Sequence, residues 1–128
     1  MRKTLPFVVV LAFVWTALAG SAESGTQTLT GEYKSGFGDG DVEAHFTSTG
    51  REEWNVAFHF RFDGQRHVYR GTAQGSLSAG RLEGEVENEN GRRRFSFEGD
   101  FSQGWFRGIH YEIRRGRSER TGTLTLRH

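Results

Sequence analysis

The chain has 128 residues, 17 basic and 16 acidic side chains, 18 glycines, one proline and no cysteine. Without cysteine there are no disulfides and no lipid-modified cysteine anchor. The length suits one domain, and the near-balanced charge gives no global attraction for nucleic acid.

Residues 1–22 carry Arg2 and Lys3, an apolar run from Leu5 to Leu18, and small residues at Ala17, Ala19, Gly20 and Ala22. This is the three-part layout of a secretory signal peptide, with cleavage expected after Ala19 or Ala22. A membrane anchor fits less well, because the run is short for a bilayer span and small residues follow it. The expectation is export to a periplasmic or extracellular compartment, no membrane insertion after signal removal, and one mature domain over residues 23–128. Removing Arg2 and Lys3 from the 17 basic residues leaves 15 against 16 acidic ones, so the pI near 8.2 belongs largely to the precursor.

After residue 22 apolar residues recur with a period of two, and no window shows helical spacing. A first strand over 26–35 sets Leu29, Gly31 and Tyr33 on one face and Thr28, Thr30, Glu32 and Lys34 on the other. A second, over 40–48, sets Val42, Ala44 and Phe46 inward. In the third, Trp54, Val56, Phe58, Phe60 and Phe62 alternate with Asn55, Ala57, His59 and Arg61. The fourth, over 65–77, carries His67, Tyr69, Gly71, Ala73, Gly75 and Leu77 inward. The fifth turns Leu82, Gly84 and Val86 inward and Arg81, Glu83, Glu85, Glu87 and Glu89 outward. The sixth buries Phe95, Phe97, Gly99 and Phe101. The seventh sets Phe106, Gly108, His110 and Glu112 inward, and the eighth, over 119–127, sets Gly122, Leu124 and Leu126 inward.

Five connections place Gly second in a two-residue loop: Phe37-Gly38, Asp63-Gly64, Ala79-Gly80, Asn90-Gly91 and Gln103-Gly104. A type I′ hairpin prefers that arrangement. As pivots they pair Tyr33 with Val42, Phe58 with Tyr69, Leu77 with Leu82, Val86 with Phe95 and Phe101 with Phe106. Around Thr49-Gly50-Arg51 two-residue parity fails, which predicts a three-residue loop with Gly50 or Arg51 at positive φ. The Arg115-Gly116-Arg117 connection is expected to be similar. A hairpin pattern also repeats at an offset of 24 residues: Gly75, Leu77, Ser78, Gly80, Leu82, Gly84 and Val86 map onto Gly99, Phe101, Ser102, Gly104, Phe106, Gly108 and His110.

Eight antiparallel strands with such short links form an all-β up-and-down meander. It is expected to close, or nearly close, into a β-barrel, with a two-sheet β-sandwich as the alternative. Closure removes both edges, and inward glycines permit the coiling it needs. A charged outer face is the inverse of a lipid-facing barrel. In architecture the chain is similar to the calycins, ligand-holding β-barrels of the lipocalin, fatty-acid-binding and avidin group. Gly31-Glu32-Tyr33 resembles the Gly-x-Trp near the start of many of them. The resemblance covers the mature domain as a shape and carries over no ligand-contacting motif.

Tight turns leave little loop for chemistry, so a site is expected inside the barrel or on its wall. The candidate ligand-binding residues are Tyr33, Trp54, Phe58, His67, Tyr69, Phe97, His110 and Glu112. A small apolar or aromatic ligand, held without catalysis, is the leading expectation. The alternative is a barrel-type isomerase or cyclase in which His110 and Glu112 exchange a proton, Glu112 having a raised pKa among phenylalanines. Against both stands a barrel filled by its own side chains, with Glu112 near the mouth paired to Arg93 or Arg120. No cofactor and no specific metal site is expected. His45 and His59 near Asp41 and Glu43 lack ligand spacing, and Asp39-Gly40-Asp41 is only a fragment of a calcium loop. On the outer wall the acidic ladder of the fifth strand faces basic Arg92, Arg93 and Arg94, which predicts cross-strand pairs in preference to a polyanion site. Trp105, Ile109, Tyr111 and Ile113 on the seventh strand form a candidate partner or self-association face, suited to a structural module.

Overall fold

The computed structural model describes residues 25–128, so the segment read as a signal peptide lies outside the described residues. The strands are β1 (Thr26–Ser35), β2 (Gly38–Gly50), β3 (Glu53–Phe62), β4 (Gln65–Gly75), β5 (Gly80–Asn88), β6 (Arg94–Ser102), β7 (Trp105–Arg114) and β8 (Arg117–Arg127). Each pairs antiparallel with the next, and β1 pairs with β8, giving one closed barrel in place of a sandwich. Among the described residues no helix is long and apolar enough to cross a membrane.

The alternation read from the sequence holds on every strand. Leu29, Val42, Ala44, Phe46, Val56, Phe58, Tyr69, Leu82, Val86, Phe97, Phe101, Phe106, Leu124 and Leu126 form the buried interior. Phe97 takes the space above Gly84: a Cβ on Gly84 would stand 2.8 Å from Phe97 Cζ and 2.4 Å from the Thr72 carbonyl oxygen. The outer wall is laced by Arg81 with Glu98 and Arg94 with Glu85, each at 2.9 Å. Exposed pairs of this kind contribute about 0–1 kcal/mol each.

The turns depart from expectation in five places, each for a backbone reason. Asp63-Gly64 and Gln103-Gly104 are two-residue turns with both residues at positive φ, as a type I′ hairpin requires. Phe37 would have needed the same left-handed backbone. The β1–β2 turn is instead Gly36-Phe37, which pairs Ser35 with Gly38 and slides Tyr33 from Val42 onto Gly40. Ala79 resists left-handed φ in the same way, and the Ser76 hydroxyl accepts hydrogen bonds from the Ser78 and Ala79 N–H groups, both at 3.0 Å. A four-residue loop results. β4 stops at Gly75, Gly75 pairs with Leu82, and Leu77 leaves the ladder yet stays 5% exposed in the barrel end. The two copies of the 24-residue repeat therefore differ in register by two residues.

At the β5–β6 connection the predicted pairing of Val86 with Phe95 is present, but Asn90 keeps negative φ. The turn runs from Asn88 to Gly91, closed by the Gly91 N–H donating to the Asn88 carbonyl at 2.9 Å. The parity problems are solved by bulges, not by three-residue loops. Thr49 is the extra residue between Ser48 and Gly50, followed by the turn Arg51-Glu52 with Glu52 at φ 54°. Thr121 is the extra residue between Arg120 and Gly122, preceded by the turn Arg115-Gly116.

The two ends of the barrel differ. At the end formed by the β2–β3, β4–β5 and β6–β7 turns the interior is solid. Phe46, Leu29, Leu82, Phe106 and Leu126 are all 0% exposed, and Leu77 covers them. The Trp54 indole N–H donates to the Gly75 carbonyl at 2.9 Å and packs edge-on against Phe46. His128 Nε2 lies 2.8 Å from the Leu77 carbonyl oxygen and donates to it. The opposite end, framed by the other four turns, holds the space that remains.

Candidate functional site

A cavity of about 150 Å³ opens at that second end, with a mainly apolar lining. Its walls come from the inward faces of all eight strands, because the alternating pattern aims Tyr33, Val42, Phe58, Tyr69, Val86, Phe97, His110 and Leu124 at one axis. The aromatic rings lock each other edge to face: Phe58 meets Phe97 at 5.3 Å, Tyr33 meets Phe60 at 5.3 Å, and Tyr69 meets Phe95 at 5.6 Å. Such contacts add about 0.5–1.5 kcal/mol each beyond burial and hold the walls apart as a rigid frame. Phe37, 69% exposed, is the exposed large hydrophobic residue among those described, and it sits on the cavity lip.

Six of the eight candidate ligand-binding residues meet at this cavity: Tyr33, Phe58, His67, Tyr69, Phe97 and His110. Trp54 does not, since it plugs the solid end. Glu112 does not line the cavity either. The alternation put both residues on the inward face correctly but carried no information on depth along the axis. Phe60, Phe62 and Phe95 were read as inward yet not singled out, although all three line the cavity. Phe37 and Arg93 lie in connections, where no period exposes their role.

His67 stacks on Phe60, ring centroids 5.5 Å apart and planes 21° from parallel. The Tyr33 hydroxyl donates to the Arg61 carbonyl at 2.9 Å. Burial, with Asp39 nearby, raises the Tyr33 phenol above its ordinary pKa. Burial also raises Tyr69, against the opposing charge of Arg93, so both phenols stay protonated at neutral pH.

His110 reaches across two strands. Its Nε2 donates to the Lys34 carbonyl of β1 at 3.1 Å, and its Nδ1 lies 2.7 Å from the Thr121 hydroxyl of β8. A carbonyl can only accept, so in the neutral ring Nδ1 is an acceptor; the single Thr121 hydroxyl proton is shared between Nδ1 and the His110 carbonyl oxygen, which lies 3.1 Å away. Burial lowers the pKa of His110, the Lys34 carbonyl acting against it.

Glu112 overturns the raised pKa expected of it among phenylalanines. It is 4% exposed, but its carboxylate accepts from Arg93 Nε at 3.1 Å, Arg93 Nη2 at 3.2 Å and Arg114 Nη2 at 3.0 Å. The Arg93 hydrogen bonds, reinforced by Arg114, outweigh desolvation and hold the carboxyl below the usual carboxylate range instead of above it. The partner is Arg93, as one alternative had it, with Arg114 in the place of Arg120. His110 and Glu112 thus share a face but spend their polar atoms on different partners.

On the outer wall His45 Nε2 lies 2.8 Å from Glu43, and the His45 and His59 rings meet at 4.9 Å. Among the described residues no group of three or more His, Cys, Asp or Glu side chains is placed to hold a metal ion. On β7 the outward residues are half-buried. Trp105 lies between the guanidinium groups of Arg107 and Arg127 at 5.5 and 5.3 Å, and the Tyr111 hydroxyl donates to Glu98 at 3.0 Å. Charged side chains therefore interrupt the apolar stripe of Trp105, Ile109, Tyr111 and Ile113.

No protein-family model matches the chain, and no curated protein matches it significantly.

Proposed function

We propose that the protein is an exported, non-catalytic β-barrel that binds a small apolar or aromatic molecule inside its open end. The observation that carries this reading is the aromatic-walled cavity of about 150 Å³ in a barrel whose other end is solid. An apolar void of that size accommodates a benzene-sized molecule. Pockets for small molecules are typically concave and apolar with a few convergent polar groups, here Tyr69, His67 and Arg93. The export half of the reading rests on the residue pattern of 1–22.

Ligand-observed NMR with a panel of one-ring molecules tests the binding. Saturable binding is expected for the wild-type chain and its loss in Val86→Phe, which fills the cavity from β5. Absence of saturable binding across the panel would remove the proposal. The described tryptophans, Trp54 in the solid end and Trp105 on the outer wall, are poorly placed to report occupancy by fluorescence.

A further inference from the structure

The polar groups of the cavity are unevenly chosen. Its lining holds one arginine, Arg93, and two histidines, His67 and His110, but no aspartate or glutamate. The nearest buried carboxylate, Glu112, is committed to two arginines, so the Arg93, Glu112 and Arg114 cluster carries a net positive charge at the cavity rim.

Tyr69 is 6% exposed, yet its hydroxyl has no hydrogen-bond partner among the described residues. Leaving a buried hydroxyl unpaired costs about 1–3 kcal/mol, so such a group calls for an occupant that pairs with it. Its ring is held on two sides, by Phe60 at 5.3 Å and Phe95 at 5.6 Å. The Arg93 guanidinium lies over Phe95 at 5.1 Å. Because Arg93 uses Nε and Nη2 on Glu112, Nη1 is left to donate elsewhere. The Tyr69 ring and the Arg93 guanidinium thus both pack against Phe95.

We infer that the cavity selects an aromatic carboxylate: one ring seated among Phe58, Phe60, Phe95 and Phe97, with its anionic group at the rim taking hydrogen bonds from Tyr69 and Arg93. Ring burial supplies the apolar part of the affinity, and the donors set orientation and charge preference. A cation of the same size meets Arg93 and has no carboxylate to pair with. This inference rests on the ligand-binding reading above.

The experiment compares benzoate, toluene and benzylammonium with the full chain by isothermal titration calorimetry and ligand-observed NMR at pH 7. Benzoate is expected to bind at least tenfold tighter than benzylammonium. Tyr69→Phe and Arg93→Gln are each expected to lower the ratio of benzoate to toluene affinity about tenfold. Tyr69→Phe keeps the packed ring, so a folding defect does not mimic the result, and far-UV circular dichroism verifies it. Toluene binding as tightly as benzoate would overturn the charge preference and leave the ligand-binding reading standing. Benzoate binding that ignores Tyr69→Phe would place the anion on the basic outer surface and overturn the inference. No binding by any of the three would overturn both.

Discussion

His110 Nδ1 lies 2.7 Å from the hydroxyl of Thr121, the residue that the β7–β8 ladder leaves unpaired as a bulge. The bulge restores inward parity to Gly122, Leu124 and Leu126, and it also presents the hydroxyl that orients the imidazole. Thr121→Val keeps the shape and removes the hydroxyl, leaving Nδ1 unpaired in a partly buried site. A loss of about 1–3 kcal/mol is expected in urea denaturation. A change below 0.5 kcal/mol would mean that the hydroxyl does not hold His110.

Acid should destabilise the barrel in two stages. Burial depresses the His110 pKa, so the unfolded chain binds the proton more readily; stability is full above the ordinary imidazole pKa of about 6.5 and falls as pH drops below it. His59, lowered by burial and by His45, acts in the same direction. The Arg93 and Arg114 clamp depresses Glu112, so its contribution is present above the ordinary carboxylate pKa of about 4.3 and is lost as pH falls through the folded value. Melting temperature against pH, in wild type, His110→Gln and Glu112→Gln, separates the stages. Each variant should flatten one of them.

At Gly122, as at Gly31, the facing backbone leaves no room for a Cβ. A Cβ on Gly122 would stand 1.7 Å from the Lys34 carbonyl oxygen of β1 and 2.8 Å from the His110 ring. Gly122→Ala must therefore push β8 away from β1 and displace His110 from Lys34. A loss of about 3 kcal/mol or more is expected by thermal melting, above most overpacking substitutions because backbone is the obstacle. An unchanged melting temperature would contradict this packing.

Phe37 should separate binding from stability. Its side chain is 69% exposed on the cavity lip. Phe37→Ser is expected to change stability by no more than about 0.5 kcal/mol. Any one-ring ligand should leave faster, seen as a raised dissociation rate in NMR exchange. A destabilised protein with unaltered ligand exchange would assign Phe37 to the fold instead.

The strands, their faces and the closed barrel were legible because a one-residue slip would expose a whole apolar face. Phe58 opposite Tyr69 and Phe97 opposite His110 follow once the Asp63-Gly64 and Gln103-Gly104 turns fix the pivots. What escaped preserves alternation while moving residues along it. The shift of Tyr33 by two residues, the extrusion of Leu77 and the bulges at Thr49 and Thr121 all leave inward residues inward. Depth along the axis is not encoded in a period of two, so Trp54 and Phe95 looked equivalent although they occupy opposite ends. Of the surroundings of Glu112, the pairing with Arg93 was legible as one alternative, whereas Arg114 escaped because it lies two residues along the same strand and not on a ladder partner.

The β1–β8 seam joins residues as far apart as Thr30 and Arg127 through six residue pairs, whereas the other seven pairings join neighbours in the chain. Hairpins assemble in microseconds, but this closure must bring together the two ends of the sheet, so it is expected to be the slow and late event of folding. Tyr33 and Leu124 are partners across that seam, and both line the cavity. The cavity therefore exists only once the seam is shut. A molecule bound there as proposed would act as a latch on it: occupancy is expected to lengthen the lifetime of the closed barrel by slowing unfolding, with little effect on how fast the barrel forms.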